Sequence, residues 1–543
     1  MKKLCLVIVL ILSISNCFCQ SAALYIKTGN ERKHQKDYSG AIIEYNKALL
    51  LDPKNVRAYG LRAFSKQILE DYNGALTDYS LAIQMNPNDS NVAYIYTNRG
   101  LVKRALTLLP GALEDFNTAL IYKPESSNIY FNRGLLKTQI RDFNGSMKDF
   151  NKAIEIDSVD GSFYCGRGFL KSVMGYKDEA MLDFNKGISL SPDYEEGYRM
   201  RGEAEAQQEN FNAAILDYNK ALELYPQDVN TLYDRGESKL NISDWNGVIE
   251  DNTKAIELSP AFYDAYLTRG NARAKTKDYP GAEEDFSTAI KINPKDPRAY
   301  NNRGNIYAEQ QKYFQAQIDY SKVIKIDPMS WQVLSNRGVI KLNLGHFKEA
   351  IEDFSKAVQI HPKDYHSFNA RGKAKMKTGN LVGALNDFNK AVSISPGLSD
   401  AYINKGDIKM KLNNYPGAIM EYSTSIKIDS SGRAYSARAV AKTKLLDYRG
   451  TISDYSAAIN IDPEIIENYL NRGNARFFIK DFESAVSDYS AVIEALPNSA
   501  VSYYNRGLAR ININEKDKAC MDFSKAGEMG FTKAYILIKR YCR

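Results

Sequence analysis

Two consecutive stretches decide how this chain folds: YCGRGFLKSVMGYKDEAMLDFNKGISLSPDYEEG (164–197) and YRMRGEAEAQQENFNAAILDYNKALELYPQDVNT (198–231). Written one above the other, they share an aromatic (Tyr164, Tyr198), an Arg-Gly pair (Arg167-Gly168, Arg201-Gly202), an alanine (Ala180, Ala214), an Asp-aromatic pair (Asp183-Phe184, Asp217-Tyr218) and a proline (Pro192, Pro226). The aromatic stands four residues before the glycine, a helical step on one face. Small residues twelve and nineteen after the glycine let two helices approach closely, and the aromatics fill the space around them. Polar turn residues separate the two helical segments, and proline closes the second because a helix interior tolerates it poorly. Each unit therefore predicts a helical hairpin that cannot bury its apolar face alone and must stack on its neighbours.

Working outward, the glycine phase recurs at Gly29, Gly100, Gly134, Gly168, Gly202, Gly236, Gly270, Gly304, Gly338, Gly372, Gly406, Gly473 and Gly507, with Ala63 and Ala439 in the two gaps. Most steps are 34 residues. Such a period is the mark of a solenoid, and it leaves no stretch of chain for a separate catalytic domain. Departures are few: Asn252 stands where the second aromatic is expected, and Ser158 and Ser430 replace the closing proline. The tail from Met529 reads as a final helix with Tyr535, Ile536 and Ile538 apolar, a capping element for the end of the stack.

A second pattern runs through the same phases. Arginine precedes the glycine in most units, a lysine or arginine follows it three residues on, and an aspartate precedes the second aromatic. Bases on one helix and acids on its partner predict an ion-pair ladder between packed helices, in preference to a basic stripe for an acidic polymer. Taken as exposed pairs, the rungs are each worth only ~0–1 kcal/mol and set register more than stability.

This pattern resembles the tetratricopeptide repeat family over about fifteen units. The resemblance implies an all-α, right-handed solenoid of stacked hairpins: a repeat array over 20–533 and a C-terminal capping helix over 534–543, after a leader over 1–19. It also implies a concave groove lined by the first helices, at phases three and two before and one and five after the glycine. Those phases are apolar early on (Phe64, Ile68, Leu101, Phe131, Leu135, Phe169), polar or acidic in the middle (Glu203, Glu237, Asn271, Asn305) and basic later (Lys373, Lys377, Lys411, Lys444). Phe64, Leu101, Phe131, Leu135 and Phe169 are the candidate dock for a peptide or protein; the alternative is that they pack between helices. Asn98 and Asn132, two before the glycine, are candidates to bond a bound backbone. The family's clamp for a C-terminal carboxylate is not carried over: Asn30, Asn271, Asn305 and Asn474 match its second residue, but Ile26, Leu267, Asn301 and Leu470 stand where its lysine belongs.

The first residues read as a secretory signal. Lys2 and Lys3 form its basic start, Leu4 to Leu12 its apolar run, and a cut after Cys19 leaves Gln20 first. Lipid attachment at Cys17 or Cys19 is the alternative, although Asn16 and Phe18 suit it poorly. An exported protein is permitted disulfides, so Cys520 and Cys542 are either a bridge that ties down the solenoid's end or two thiols. A net charge of +7 from 72 basic and 65 acidic residues does not point to nucleic acid. Four histidines, none near a cysteine or carboxylate at ligand spacing, predict no metal, and no phosphate loop or nucleophile elbow predicts a cofactor or an enzyme. The expected protein is a non-enzymatic interaction scaffold of a bacterial cell envelope, periplasmic or secreted, with no membrane span. The competing expectation is a binder of an envelope polysaccharide.

Overall fold

The computed structural model describes residues 21–86 and 92–542. The leader expected over 1–19, with its two alternative lipidation sites, lies outside them. Among the described residues there are 31 α-helices, in order from Ala22–His34 to Lys533–Tyr541, and no strand. The expected all-α architecture of stacked helical hairpins is what forms.

One hairpin explains the rest. Gly161–Val173 is followed by Lys177–Leu190. Gly168 faces Phe184 so closely that a β-carbon there would lie 3.1 Å from the ring. Ala180 and Phe184 are buried beside it. The same meeting recurs at Gly134 with Phe150 and at Gly304 with Tyr320. Ala63 and Ala439, both fully buried, hold the phase elsewhere, so it demands a small residue within a helix and not a special backbone angle.

The turn between the two helices follows a rule that composition hides. The residue seven after the glycine phase is left-handed: Gly175, Gly345 and Gly379, but also Glu70, Arg141, Ser243 and Leu446 with φ of 61–62°. The second helix is then capped, in many hairpins, by an Asp or Asn side chain that accepts from the third helical N–H, as Asp142 does from Gly145 (3.0 Å) and Asp447 from Gly450 (3.0 Å).

By its internal contacts the chain divides into two units, Met1–Asp278 and Tyr279–Arg543. In the first, each buried aromatic of a second helix (Tyr79, Phe116, Phe184) centres a cluster completed by the next hairpin. In the second, Tyr320, Phe388, Tyr422 and Phe523 do the same. Its last helix packs Ala534, Leu537 and Ile538 against the Phe523 cluster. Tyr535 and Ile536, expected on the packed stripe, are instead 55% and 68% exposed, because the helix docks through the neighbouring face. A disulfide joins Cys520 to Cys542 and holds that helix to the preceding hairpin.

Candidate partner-binding clefts

The ion-pair ladder is the frame on which the first helices are set. Arg133 donates through Nε and Nη2 to both oxygens of Asp149 (2.8 and 2.6 Å), and Lys137 Nζ lies 2.8 Å from the same carboxylate. The remaining Nη1 donates to Asn117 Oδ1 of the preceding hairpin (2.8 Å). The guanidinium carbon also sits 5.4 Å from the centre of the Tyr130 ring. The bidentate pair and the Nη1 bond to the preceding hairpin repeat at Arg201 with Asp217 and Asn185, at Arg337 with Asp353 and Ser321, and at Arg472 with Asp488 and Ser456. In the one unit with lysine at this phase, Lys405 and Lys409 meet Glu421 at 3.0 and 2.6 Å. The expectation of exposed rungs needs correction: Asp78, Asp149 and Asp488 are buried, since helix packing closes over the carboxylates. Each of these arginine rungs spans two second helices and so sets both the hairpin and its stacking on the one before.

With these phases occupied, three clefts lie mainly along first helices. One cleft, of about 440 Å³, is lined by Gln67, Ile68, Leu101, Arg104 and Gln139. A second, of about 340 Å³, lies among Asn474, Phe477, Phe478, Asn505 and Leu508. A third, of about 660 Å³, is lined by Leu342, Phe347, Lys373, Met376, Lys377 and Asn404, with Asp407 and Arg433 at one side. Most of these positions stand two before, or one, four or five after, the glycine phase.

The sequence candidates separate by position. Leu101 lines the first cleft while also packing on the Phe116 cluster. Phe64 lies under the Lys33 ammonium, 5.7 Å from its ring centre. Phe131 packs against Phe150 and Phe163 with ring centres 6.0 and 5.4 Å apart, and Leu135 and Phe169 pack on the cluster of Cys165, Phe184 and Met200. Asn98 is buried and donates to the Tyr94 carbonyl (2.9 Å), and Asn132 donates to the Asn128 carbonyl (2.8 Å), both within their own helix. Lys373 and Lys377 line the third cleft, whereas Lys411 and Lys444 are exposed and line none of the three.

Midway along the first unit, Arg199 lies 3.2 Å from Glu196, 3.7 Å from Glu203 and 3.9 Å from Asp234. Burial pushes the Asp234 carboxyl up to about 6, against the pull of Arg199. Glu237 accepts from Thr268 Oγ1 (2.8 Å), a contact from one first helix to the next. Sequence reading missed the aromatic cleft at Phe477 and Phe478. The signal was present in those two side chains, four and five after Gly473.

Among the described residues no group of His, Cys, Asp and Glu is placed to hold a metal ion, and no helix is long and apolar enough to cross a membrane. The buried Cys165 thiol is pushed up to about 12 by desolvation, which keeps it protonated.

Family models described as TPR repeat match residues 270–311, and models described as tetratricopeptide repeat match 127–160, 196–228, 297–330 and 331–364. A search of curated proteins finds no match. Among solved structures, the APC/C hetero-tetramer Cut9-Hcn1 is similar over 85% of this chain and 98% of that one, at 15% identity and a TM-score of 0.39. A tetratricopeptide repeat protein from Parabacteroides merdae covers 46% of this chain with 99% of its own, at 21% identity and 0.34. YrrB, titled a TPR protein with an unusual peptide-binding site, covers 33% with 92% of its own, at 22% identity and 0.31.

Proposed function

We propose that this chain, which matches tetratricopeptide-repeat models over 127–160, 196–228 and 270–364, is a member of that family and a non-enzymatic scaffold that holds a peptide or protein partner along its first helices. The observation that carries this reading is the placement of the three clefts. All are lined mainly by first-helix side chains at the groove phases, while the remaining phases are committed to the core and the ladder. Ile68 and Phe478, 45% and 63% exposed, offer the cleft walls apolar surface, the Phe478 ring with Tyr448 stacked on one face at 4.9 Å. We place the protein outside the cytoplasm, in the envelope of a bacterium. The apolar run Leu4–Leu12 supports export, and the Cys520–Cys542 bridge suits an oxidising compartment.

The test is capture from an envelope extract by the immobilised chain, with Ile68→Glu and Phe478→Glu variants alongside. Both side chains are exposed, so circular dichroism should stay unchanged. A protein retained by the wild type and released by either variant supports the scaffold. Retention that is equal on all three, or no retained protein, overturns the groove as the binding surface.

A further inference from the structure

The third cleft carries a buried donor without a partner beside a partly exposed lysine. At two other places along the chain, the side chain two before the glycine phase reaches the side chain one after it in the preceding unit. Thr268 Oγ1 donates to Glu237 Oε1 (2.8 Å), and Asn505 Nδ2 donates to Asn474 Oδ1 (3.1 Å). At Asn404 the preceding partner is Lys373, which has no acceptor to offer. Asn404 is only 4% exposed, and its Nδ2 is buried without a hydrogen-bond partner. A buried amide left in that state forfeits its hydration with nothing in return, a situation natural cores avoid. Lys373 has only Asp400, at 3.7 Å and 57% exposed, and Lys377 stands exposed one turn further on. One turn before Lys373, Asn369 Oδ1 is a second buried group without a partner, an acceptor this time. The acids of the cleft are engaged: Asp407 accepts from Tyr422 (2.8 Å) and pairs with Arg433 (3.4 Å).

We propose that this cleft is a recognition site for an acidic segment of a partner protein. A side-chain carboxylate of the partner takes the Asn404 amide and the Lys373 ammonium. Leu342, Phe347 and Met376 provide the apolar ground for a flanking aliphatic residue. The proposal rests on the scaffold reading and adds to it a location and a chemistry. A carboxylate is the group that fits two converging donors, one of them charged, because charge-assisted hydrogen bonds are about twice as strong as neutral ones. A peptide is favoured over a free anion because Leu342, Phe347 and Met376 give the cleft apolar walls that an inorganic anion would leave unused.

The probes are three short peptides tested by calorimetry against the whole chain. The first is acetylated and amidated Gly-Leu-Glu-Glu-Leu-Gly, the second its Gln-Gln counterpart, and the third the Gln-Gln peptide with a free C-terminus. The expected result is binding of the Glu peptide at least about tenfold tighter than either Gln peptide. Lys373→Met and Asn404→Leu should each weaken it by about tenfold, while Lys348→Ala on an outer helix leaves it unchanged. Asn404→Leu should also keep or raise Tm, since it removes the orphan amide; a misfolded variant would lower it. Equal affinity for the Glu and amidated Gln peptides, no binding of any peptide, or binding indifferent to both variants overturns the site. Preference for the free C-terminus overturns the side-chain assignment. None of these results depends on Ile68 or Phe478, so failure here is distinguishable from failure of the scaffold reading.

Discussion

Asn252 fills the slot that Tyr or Phe fills in the other hairpins. It is fully buried opposite Gly236, its Nδ2 turned back to the Val248 carbonyl (2.9 Å) and its Oδ1 without a partner. Replacing a ring by an amide here removes apolar contact and strands an acceptor. Asn252→Phe is therefore expected to stabilise the hairpin by about 1–3 kcal/mol, read as slower amide exchange over Trp245–Leu258. Leu446, at φ 61° and 69% exposed, sits in the left-handed turn position that suits glycine. Leu446→Gly should gain about 0.5–1 kcal/mol in thermal unfolding, the αL penalty less the entropy glycine gives up. Asn252 was visible in the sequence as a departure. Leu446 was not, because a left-handed leucine has no compositional signature and follows from the length of the turn alone.

At the scale of helices, the ladder is the chief interaction that packing alone would not predict. The Asp183 carboxyl feels burial, which raises its pKa, and hydrogen bonds from Arg167 and Lys171, which outweigh it, so the group titrates below the reference 3.8. A lowered folded-state pKa adds stability that is complete above 3.8 and lost as pH falls through the folded value. Asp183→Asn should thus destabilise by about 2 kcal/mol at pH 7, since it leaves Arg167 and Lys171 facing a neutral amide. The difference from wild type should narrow progressively in denaturation series taken below pH 3.8. Asp234 has the opposite sign. With its carboxyl held up at about 6, ionisation weighs against the fold as pH rises from 3.8 to 6. Asp234→Asn should accordingly raise Tm at pH 7 and leave it unchanged near pH ~3.5. The alternation of acid and base announced these pairs. Their burial did not follow from it, because spacing says which residues meet and not how much chain covers them.

At the scale of the molecule, stability accumulates hairpin by hairpin, so its ends are exposed to fraying. The Cys520–Cys542 bridge closes the C-terminal end over a separation of 22 residues. Opening such a loop costs ~3 kcal/mol in the chain-entropy model. Cys542→Ser should speed amide exchange through Lys533–Tyr541 and leave the hairpins of the first unit unaffected. Period, hairpin, capping helix and the small and aromatic phases were determined by the sequence by itself, because each follows from which residues share a helix face, and helical geometry is local. Which groove side chains stay free was decided only by the tertiary structure. Phe169 shares its phase with the cleft residues Lys373 and Asn474, yet it packs against the cluster of Cys165, Phe184 and Met200. Asn505 and Asn404 stand at the same phase, yet one finds an acceptor in the preceding unit and the other a lysine. Covering a surface or satisfying a donor belongs to a pair of residues in different repeats, so it is settled only once the repeats are stacked.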